Sequence, residues 1–304
     1  MGALVVVAGA TGSLGGRIAG ALRERGACVV ALARPATAPE RLEPLRALGA
    51  TVAPVDLGDA SGLARAVSGA ECVVSALNGL RDVVVDAQTA LLDAAVTAGV
   101  PRFIPSDYSI DFTGLPPGRN RNLDLRREFH VRLAERPIGA TTVFCGAFAE
   151  LLGGRMPLVL LKHRRVVYWG DADQRMDFTT EDDAAAFTAC AALDPSAPRF
   201  LRIAGDRLSA RELAAVAGEV TGAKFRLVRA GGLGMLGALI VVARAVAPGG
   251  REPFPAWQGM QYMRDMFDGR GLPARLDNDR YPGLRWTGAR DVLAARAAAP
   301  GRRG

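Results

Sequence analysis

The sequence predicts an α/β protein, a doubly wound parallel sheet with a smaller C-terminal region. Three observations predict it. Short valine-rich runs alternate with segments of helical spacing through the first half of the chain. A glycine-rich turn joins the first such run to the first such helix. Beyond Phe148 the alternation breaks into a different rhythm. Parallel strands joined by right-handed helical crossovers give the first pattern.

The expected strands are Leu4–Ala8, Cys28–Ala33, Thr51–Val55, Cys72–Leu77, Arg102–Pro105 and a sixth at Thr141–Phe144. Each is short and apolar, as a strand buried on both faces must be. The expected helices are Leu14–Arg25, Glu40–Leu48, Ser61–Val67, Val83–Ala98 and Asn122–Glu135. In the second half, Arg165–Trp169 and Arg175–Phe178 read as strands around a polar turn that Asp171 and Asp173 shape. Thr180 should cap a helix reaching Leu193, with Glu181, Asp182 and Asp183 in its first turn. Phe200–Ile203 reads as a strand, and Ser209-Ala210-Arg211-Glu212 is a capping box opening another helix.

Gly231–Val246 is strongly apolar but contains Arg244 and falls short of the roughly 20 residues a membrane span needs. A buried helix or a lid over a substrate site is expected there. Pro255–Phe267 carries Trp257, Met260, Tyr262, Met263, Met266 and Phe267, which suit either a core-facing helix or a pocket wall.

The turn Gly9-Ala10-Thr11-Gly12-Ser13-Leu14-Gly15-Gly16 follows the first strand at once. Glycines so placed form the phosphate-cradling turn of a dinucleotide-binding, Rossmann-type fold. Gly9 would allow the tight turn, Gly12 the approach of backbone to a pyrophosphate, and Gly15 close packing of helix on sheet. The helix start adds free N–H groups and partial positive charge. The second strand ends Ala33-Arg34-Pro35, with no carboxylate to bond a ribose 2′-hydroxyl. Arg34, with Arg41 as a second candidate, can instead clasp a 2′-phosphate, which points to NADP(H). Asp56 after the third strand could reach the adenine edge, and Ser75, Ala76 and Leu77 end the fourth strand where ribose and nicotinamide belong. The expected cofactor set is Gly9, Thr11, Gly12, Ser13, Leu14, Gly15, Arg34, Asp56, Ser75, Ala76, Leu77 and Ser106. Residues 1–150 are therefore read as an NADP-binding domain, and 151–304 as a substrate-binding region partly woven onto it.

The 304 residues are 49% hydrophobic and 23% charged, enough for a substantial core. Met1–Ala8 lacks a basic flank and a cleavage site, so it is expected to be a strand and not a signal peptide. Cys28, Cys72, Cys145 and Cys190 lie far apart in apolar stretches, and buried free thiols in a reducing cytoplasm are expected. His130 and His163 form no metal-ligand spacing, so no metal is expected. His163 sits in a basic surface cluster. The net charge of +7 is spread out, with no dense basic stripe, so no nucleic-acid partner is expected. Ser106 and Ser109 lack the GxSxG context of a hydrolase. A small-molecule substrate, no membrane partner and a homodimer complete the expected partners.

The GATGSLG turn, Arg34, and Arg102-Phe103-Ile104-Pro105-Ser106-Asp107-Tyr108 together resemble the NmrA-like and isoflavone reductase-like group of atypical short-chain dehydrogenases. The likeness continues through Gly170-Asp171, Asp177–Asp182 and Tyr281–Thr287. It implies an NADPH-binding domain and a C-terminal substrate region. Members include reductases of aromatic substrates and regulators that bind the nucleotide without turnover; an epimerase or dehydratase retaining NADP(H) is a third reading. The resemblance also implies a catalytic lysine on the helix after the FIPSDY segment, and that position falls here on Arg126 or Arg127. Arginine stays protonated and is a poor general acid. His130 lies four residues from Arg126 and three from Arg127, so either pair can share a helix face. The expected catalytic set is Tyr108, Arg127 and His130: Tyr108 or His130 protonates a developing oxyanion that Arg127 stabilises. The same helix residues also read as a solvated charged face around a satisfied histidine.

Overall fold

A computed structural model describes residues 2–154 and 156–298; Met1, Arg155 and residues 299–304, the end of the expected C-terminal region, lie outside the described residues. The chain runs β1 (Leu4–Ala8), α1 (Ser13–Glu24), β2 (Cys28–Ala33), α2 (Pro39–Ala47), β3 (Thr51–Pro54), α3 (Ala60–Val67) and β4 (Cys72–Ser75). A π-helical turn, Asp82–Ala87, leads into α4 (Gln88–Thr97), then β5 (Arg102–Ile104), α5 (Arg121–Ala134), β6 (Gly139–Ala140), β7 (Thr142–Phe144) and β8 (Ala147–Phe148). The second half continues with β9 (Val159–Leu160), β10 (Arg165–Trp169), β11 (Arg175–Thr179), α6 (Glu181–Leu193), β12 (Phe200–Arg202) and β13 (Asp206–Ser209). It closes with α7 (Ala210–Thr221), β14 (Arg226–Gly231), α8 (Leu233–Val246), α9 (Ala256–Asp268) and α10 (Ala289–Ala298).

Strands β1 to β6 form one parallel sheet in the order β3-β2-β1-β4-β5-β6. Its two faces are both covered, and β1 shows why the strand reads as an unbroken apolar run. Val5 and Val7 enter a core shared with α1 and α6, while Val6 and Ala8 enter the opposite core under α3, α4 and α5. Side chains alternate across a strand, so a strand buried on both sides must be apolar at every position. The strand order reverses between β1 and β4, and in such sheets ligands bind beyond the carboxyl ends of the strands at that switch point.

The second half is tied into the first by α6 and β12. Helix α6 packs along α1 through Ala184, Ala185, Phe187 and Ala189, in the same core as Ile18, Ala19 and Leu22. Its alanines let the two helix axes approach, and Phe187, fully buried, fills the gap. Thr180 caps α6 by accepting from Asp183 N (3.1 Å), and the Ser209/Glu212 capping box of α7 is fully formed. Asp171 Oδ1 accepts from Asp173 N (2.9 Å), the turn read from sequence.

Three expectations are corrected. The sixth strand divides: Gly139–Ala140 continues the sheet beside β5, while Thr142–Phe144 pairs in parallel with β12, a partner 58 residues on from Thr142 at Phe200. The thiols are not all buried, since Cys28 is exposed and Cys190 partly so. Helix α8 is not buried: only Leu236 and Ile240 enter the core, and Met235, Leu239, Val241, Val242 and Val246 are exposed. By contrast α9 buries Trp257, Met263, Met266 and Phe267. Among the described residues no helix is long and apolar enough to cross a membrane.

Candidate active site

The glycine turn lies at the switch point. Gly9 has φ +82°, and a Cβ there would stand 2.5 Å from Ala76 O, just past β4. A Cβ on Gly15 would stand 2.2 Å from Gly9 O. Both positions therefore exclude any side chain through the backbone of the protein itself. Gly12 differs: it donates to Gly9 O (2.9 Å) in an extended conformation, and its Cβ would meet nothing closer than that oxygen at 3.3 Å. Its bare backbone leaves room for a ligand more than it serves packing. No side chain caps α1, so its first N–H groups have no protein partner there. A cradle without Cβ atoms beneath an uncapped helix start fits a pyrophosphate. Thr11 and Leu14 flank it, half-buried.

The neighbouring residues divide. Arg34 is exposed just past β2, and Arg41 Nη2 donates to Thr11 O (3.1 Å), so Arg41 reaches directly over the turn. Asp56 Oδ1 accepts from Gly58 N (2.8 Å) and shapes the loop after β3. Ser75 is fully buried with its Oγ unpartnered, and Ala76 N donates to Ala8 O (2.8 Å). Ser106 Oγ donates to Leu77 O (2.6 Å), pinning together the ends of β4 and β5. Ser13 Oγ is engaged by the Glu181 carboxylate, which also receives Arg17 Nε (3.2 Å). Sequence reasoning placed Glu181 only as a helix-start residue; its contact with Ser13 depends on α6 packing along α1.

The expected catalytic trio is not brought together at that edge. Tyr108 is 7% exposed, its hydroxyl is buried without a hydrogen-bond partner, and burial pushes its phenol far above the usual range. It lies in the core shared with α1 and α6. Helix α5 is capped by Asn120, which accepts from Leu123 N (3.3 Å), and it buries Leu123, Arg126, Phe129 and Leu133 on one face. Arg127, about 100° round the helix from Arg126, instead holds the preceding loop. It donates to Phe112 O (2.5 Å) and Leu115 O (2.7 Å) and pairs with Asp124 (2.8 Å).

His130 faces a third way. Its Nε2 lies 2.5 Å from Asp107 Oδ2, and Arg199 Nη2 lies 3.3 Å from its Nδ1. A guanidinium can only donate, so Nδ1 accepts and Nε2 carries the proton given to Asp107. Thr142 Oγ1 also donates to Asp107 Oδ2 (3.1 Å), and Phe112 packs edge-on against the ring. This cluster ties α5, β7 and the segment before β12 together. His130→Ala would leave the fully buried Asp107 carboxylate short of a partner, an expected loss of about 3 kcal/mol. Thermal denaturation should show that loss, while kcat of the folded fraction changes less than about tenfold, below the usual contribution of a catalytic acid.

Arg126 is the helix residue that reaches the sheet edge. It is buried, and its Nε donates to Ser106 O (3.0 Å), next to the Ser106–Leu77 clamp. Its Nη1 donates to Asn122 O (3.0 Å). Across from it, α9 presents Gln258, Gln261, Tyr262 and Asp265 at helical spacing. Gln258 bonds Asn120 (2.7 Å), Gln261 accepts from Arg121 N (3.1 Å) and Asp265 accepts from Asn120 (3.0 Å), so this face is pressed on the start of α5. Burial raises the Tyr262 phenol above its ordinary value, and the Arg126 charge and the Asn122 side chain oppose the rise. Neither Arg126 nor Tyr262 was in the expected trio. The aromatic and methionine stripe of 255–267 was the one sequence signal for Tyr262.

The NmrA-like family model matches residues 1–268. Pinoresinol reductase 2 of Arabidopsis thaliana is 32% identical over 206 residues, 63% of this chain and 65% of that protein. The match thus spans just under two thirds of that relative's length. The isoflavone reductase homolog IRL of Zea mays is 30% identical over 237 residues, 73% of this chain and 75% of that protein. Among solved structures, AtPrR2 with NADP+ and (+)pinoresinol superposes with a TM-score of 0.81 at 23% identity, over 97% of this chain and 99% of that one. The leucoanthocyanidin reductase–NADPH complex from Vitis vinifera gives 0.78 at 20% identity, over 96% and 99% of the two chains. These structural likenesses establish the shared α/β fold.

Proposed function

The chain belongs to the NmrA-like family, and from that premise we propose that it is an NADPH-dependent oxidoreductase. It reduces a carbonyl or conjugated C=C of a small apolar molecule of aromatic or polyketide-like character. The observation that carries the reading is the bare glycine cradle beneath an uncapped helix start at the sheet's switch point. The relatives' own names, reductases of pinoresinol and of isoflavone type, support the reaction class. In this reading residues 1–150 hold the nucleotide and 151–304 shape the substrate side. The four unpaired cysteines suit a reducing cytoplasm.

Gly9, Thr11, Gly12, Ser13, Leu14 and Gly15 hold the pyrophosphate, and Arg34 and Arg41 the 2′-phosphate. Bound there, NADPH supplies the hydride. The protein supplies the proton, and Tyr262, whose phenol feels the Arg126 charge, is the group we assign to give it. Its phenol is protonated at neutral pH, and the Arg126 charge stabilises the phenolate left behind, which water reprotonates. Arg126 itself stays charged and orients without donating.

The cofactor reading is tested by titrating NADPH and NADH into the protein and its Arg34→Ala and Arg41→Ala variants. Each substitution should weaken NADPH by about tenfold, the worth of a charge-assisted bond, and leave NADH unchanged. Equal loss for both nucleotides would place neither arginine on the 2′-phosphate. One observation favours a second reading: the lysine implied by the resemblance is absent, and a sensor needs no acid. A sensor binds NADPH equally tightly and oxidises none of it.

A further inference from the structure

We propose that the outer face of α8 docks on an anionic lipid surface. The proposal does not depend on the reaction assigned above. A surface helix ordinarily turns polar residues to water. The outer face of α8 turns none. Met235, Leu239, Val242 and Val246 recur at steps of four, three and four, and are 49%, 40%, 58% and 80% exposed. Val241 (68%) lies beside them, and Phe254 (50%), past the helix in sequence, is exposed as well. Between these residues the outward positions are Gly234, Ala238 and Ala245.

Charge decides what covers this face. From Val220 to Arg251 the chain has Lys224, Arg226, Arg229, Arg244 and Arg251 and no acidic residue. All five are exposed. Lys224, Arg226 and Arg229 precede the helix, Arg244 stands in its last turn and Arg251 follows it, so cations flank the apolar stripe in sequence at both ends. A symmetric pair of copies would set this patch against itself, bringing like charges together. A negatively charged, apolar-cored surface answers both features: valine, leucine and methionine enter the acyl boundary while arginines meet the headgroups. Helix α8 is too short to span, so it would lie in the plane of the surface.

The test is flotation of the full chain with vesicles of phosphatidylcholine, alone or mixed with phosphatidylglycerol. The protein should float with the anionic vesicles, stay behind with the neutral ones, and be released by salt. Val242→Glu should abolish flotation. Arg251→Glu, which leaves the apolar face untouched, should weaken it by at least about fivefold, the worth of one cation near such a surface. Protein that stays at the bottom of the gradient with anionic vesicles overturns the proposal. So does a dimer in solution that Val242→Glu converts to a monomer, because a second copy then covers the face.

Discussion

Tyr262→Phe is expected to lower kcat by at least about a hundredfold, the lower bound for a positioned general acid, with the NADPH dissociation constant unchanged. Only the hydroxyl is removed, so the packing of α9 on α5 through Gln258, Gln261 and Asp265 persists. The pH profile gives the sign. Burial raises the Tyr262 phenol above its ordinary value, so the acid form persists through neutrality. Reduction should therefore be flat across neutral pH and fall only in the alkaline range, as the phenol ionises; the variant should lose that alkaline limb. Arg126→Lys is the companion. It places near Ser106, which Arg126 reaches, an ammonium that can itself give a proton, so kcat in a Tyr262→Phe background should partly recover. A Tyr262→Phe enzyme with undiminished kcat would remove Tyr262 from the reaction.

Gly15→Ala should act on fold and cofactor together. Its Cβ would lie 2.2 Å from Gly9 O and 2.7 Å from Gly9 C, both backbone atoms that no rotamer change can move away. Either α1 lifts from the sheet or the turn opens. The expected cost is on the order of 3 kcal/mol, the upper range for overpacking. Affinity for NADPH should fall by more than about tenfold, because the cradle is made of the atoms that must shift. Gly12→Ala makes the contrast. Its Cβ would stand 3.3 Å from Gly9 O, a tight contact relieved by a shift of a few tenths of an ångström, so the thermal midpoint should fall far less than for Gly15→Ala while NADPH binding weakens. Isothermal titration and thermal denaturation of the two variants separate packing from ligand contact.

What the sequence made legible was local. A strand that must be apolar on both faces, as Val5 to Ala8 must, is visible in four residues, and so is a turn whose glycines sit at Gly9, Gly12 and Gly15. Thr180, Ser209 and Glu212 betray their helix starts because caps bond within a single turn. Pairing at a distance left no such trace. Nothing in Thr142–Phe144 announces that β12 lies beside it, and nothing in Glu181 announces Ser13. Those contacts depend on α6 packing on α1, a tertiary event. The site was half legible for the same reason. Helical spacing showed that Arg126, Arg127 and His130 could share neighbours, but not which way the helix was turned. Burial of Leu123, Phe129 and Leu133 turns it so that Arg126 faces Ser106, while Arg127 serves the loop and His130 serves Asp107. Tyr108 was expected at the edge because it follows β5 closely, yet its ring enters the core. Helix α8 misled in the other direction: apolarity usually means burial, and here it lies on the outside.

The claim that this chain is a reductase is tested most directly by following label. NADPH carrying deuterium at the transferable position is incubated with the protein and a series of aromatic carbonyl and enone compounds, and the products are weighed by mass spectrometry. The account predicts a reduced product that carries one deuterium, formed in step with NADP+. NADPH bound tightly yet recovered unoxidised with every compound would contradict it and leave a nucleotide sensor.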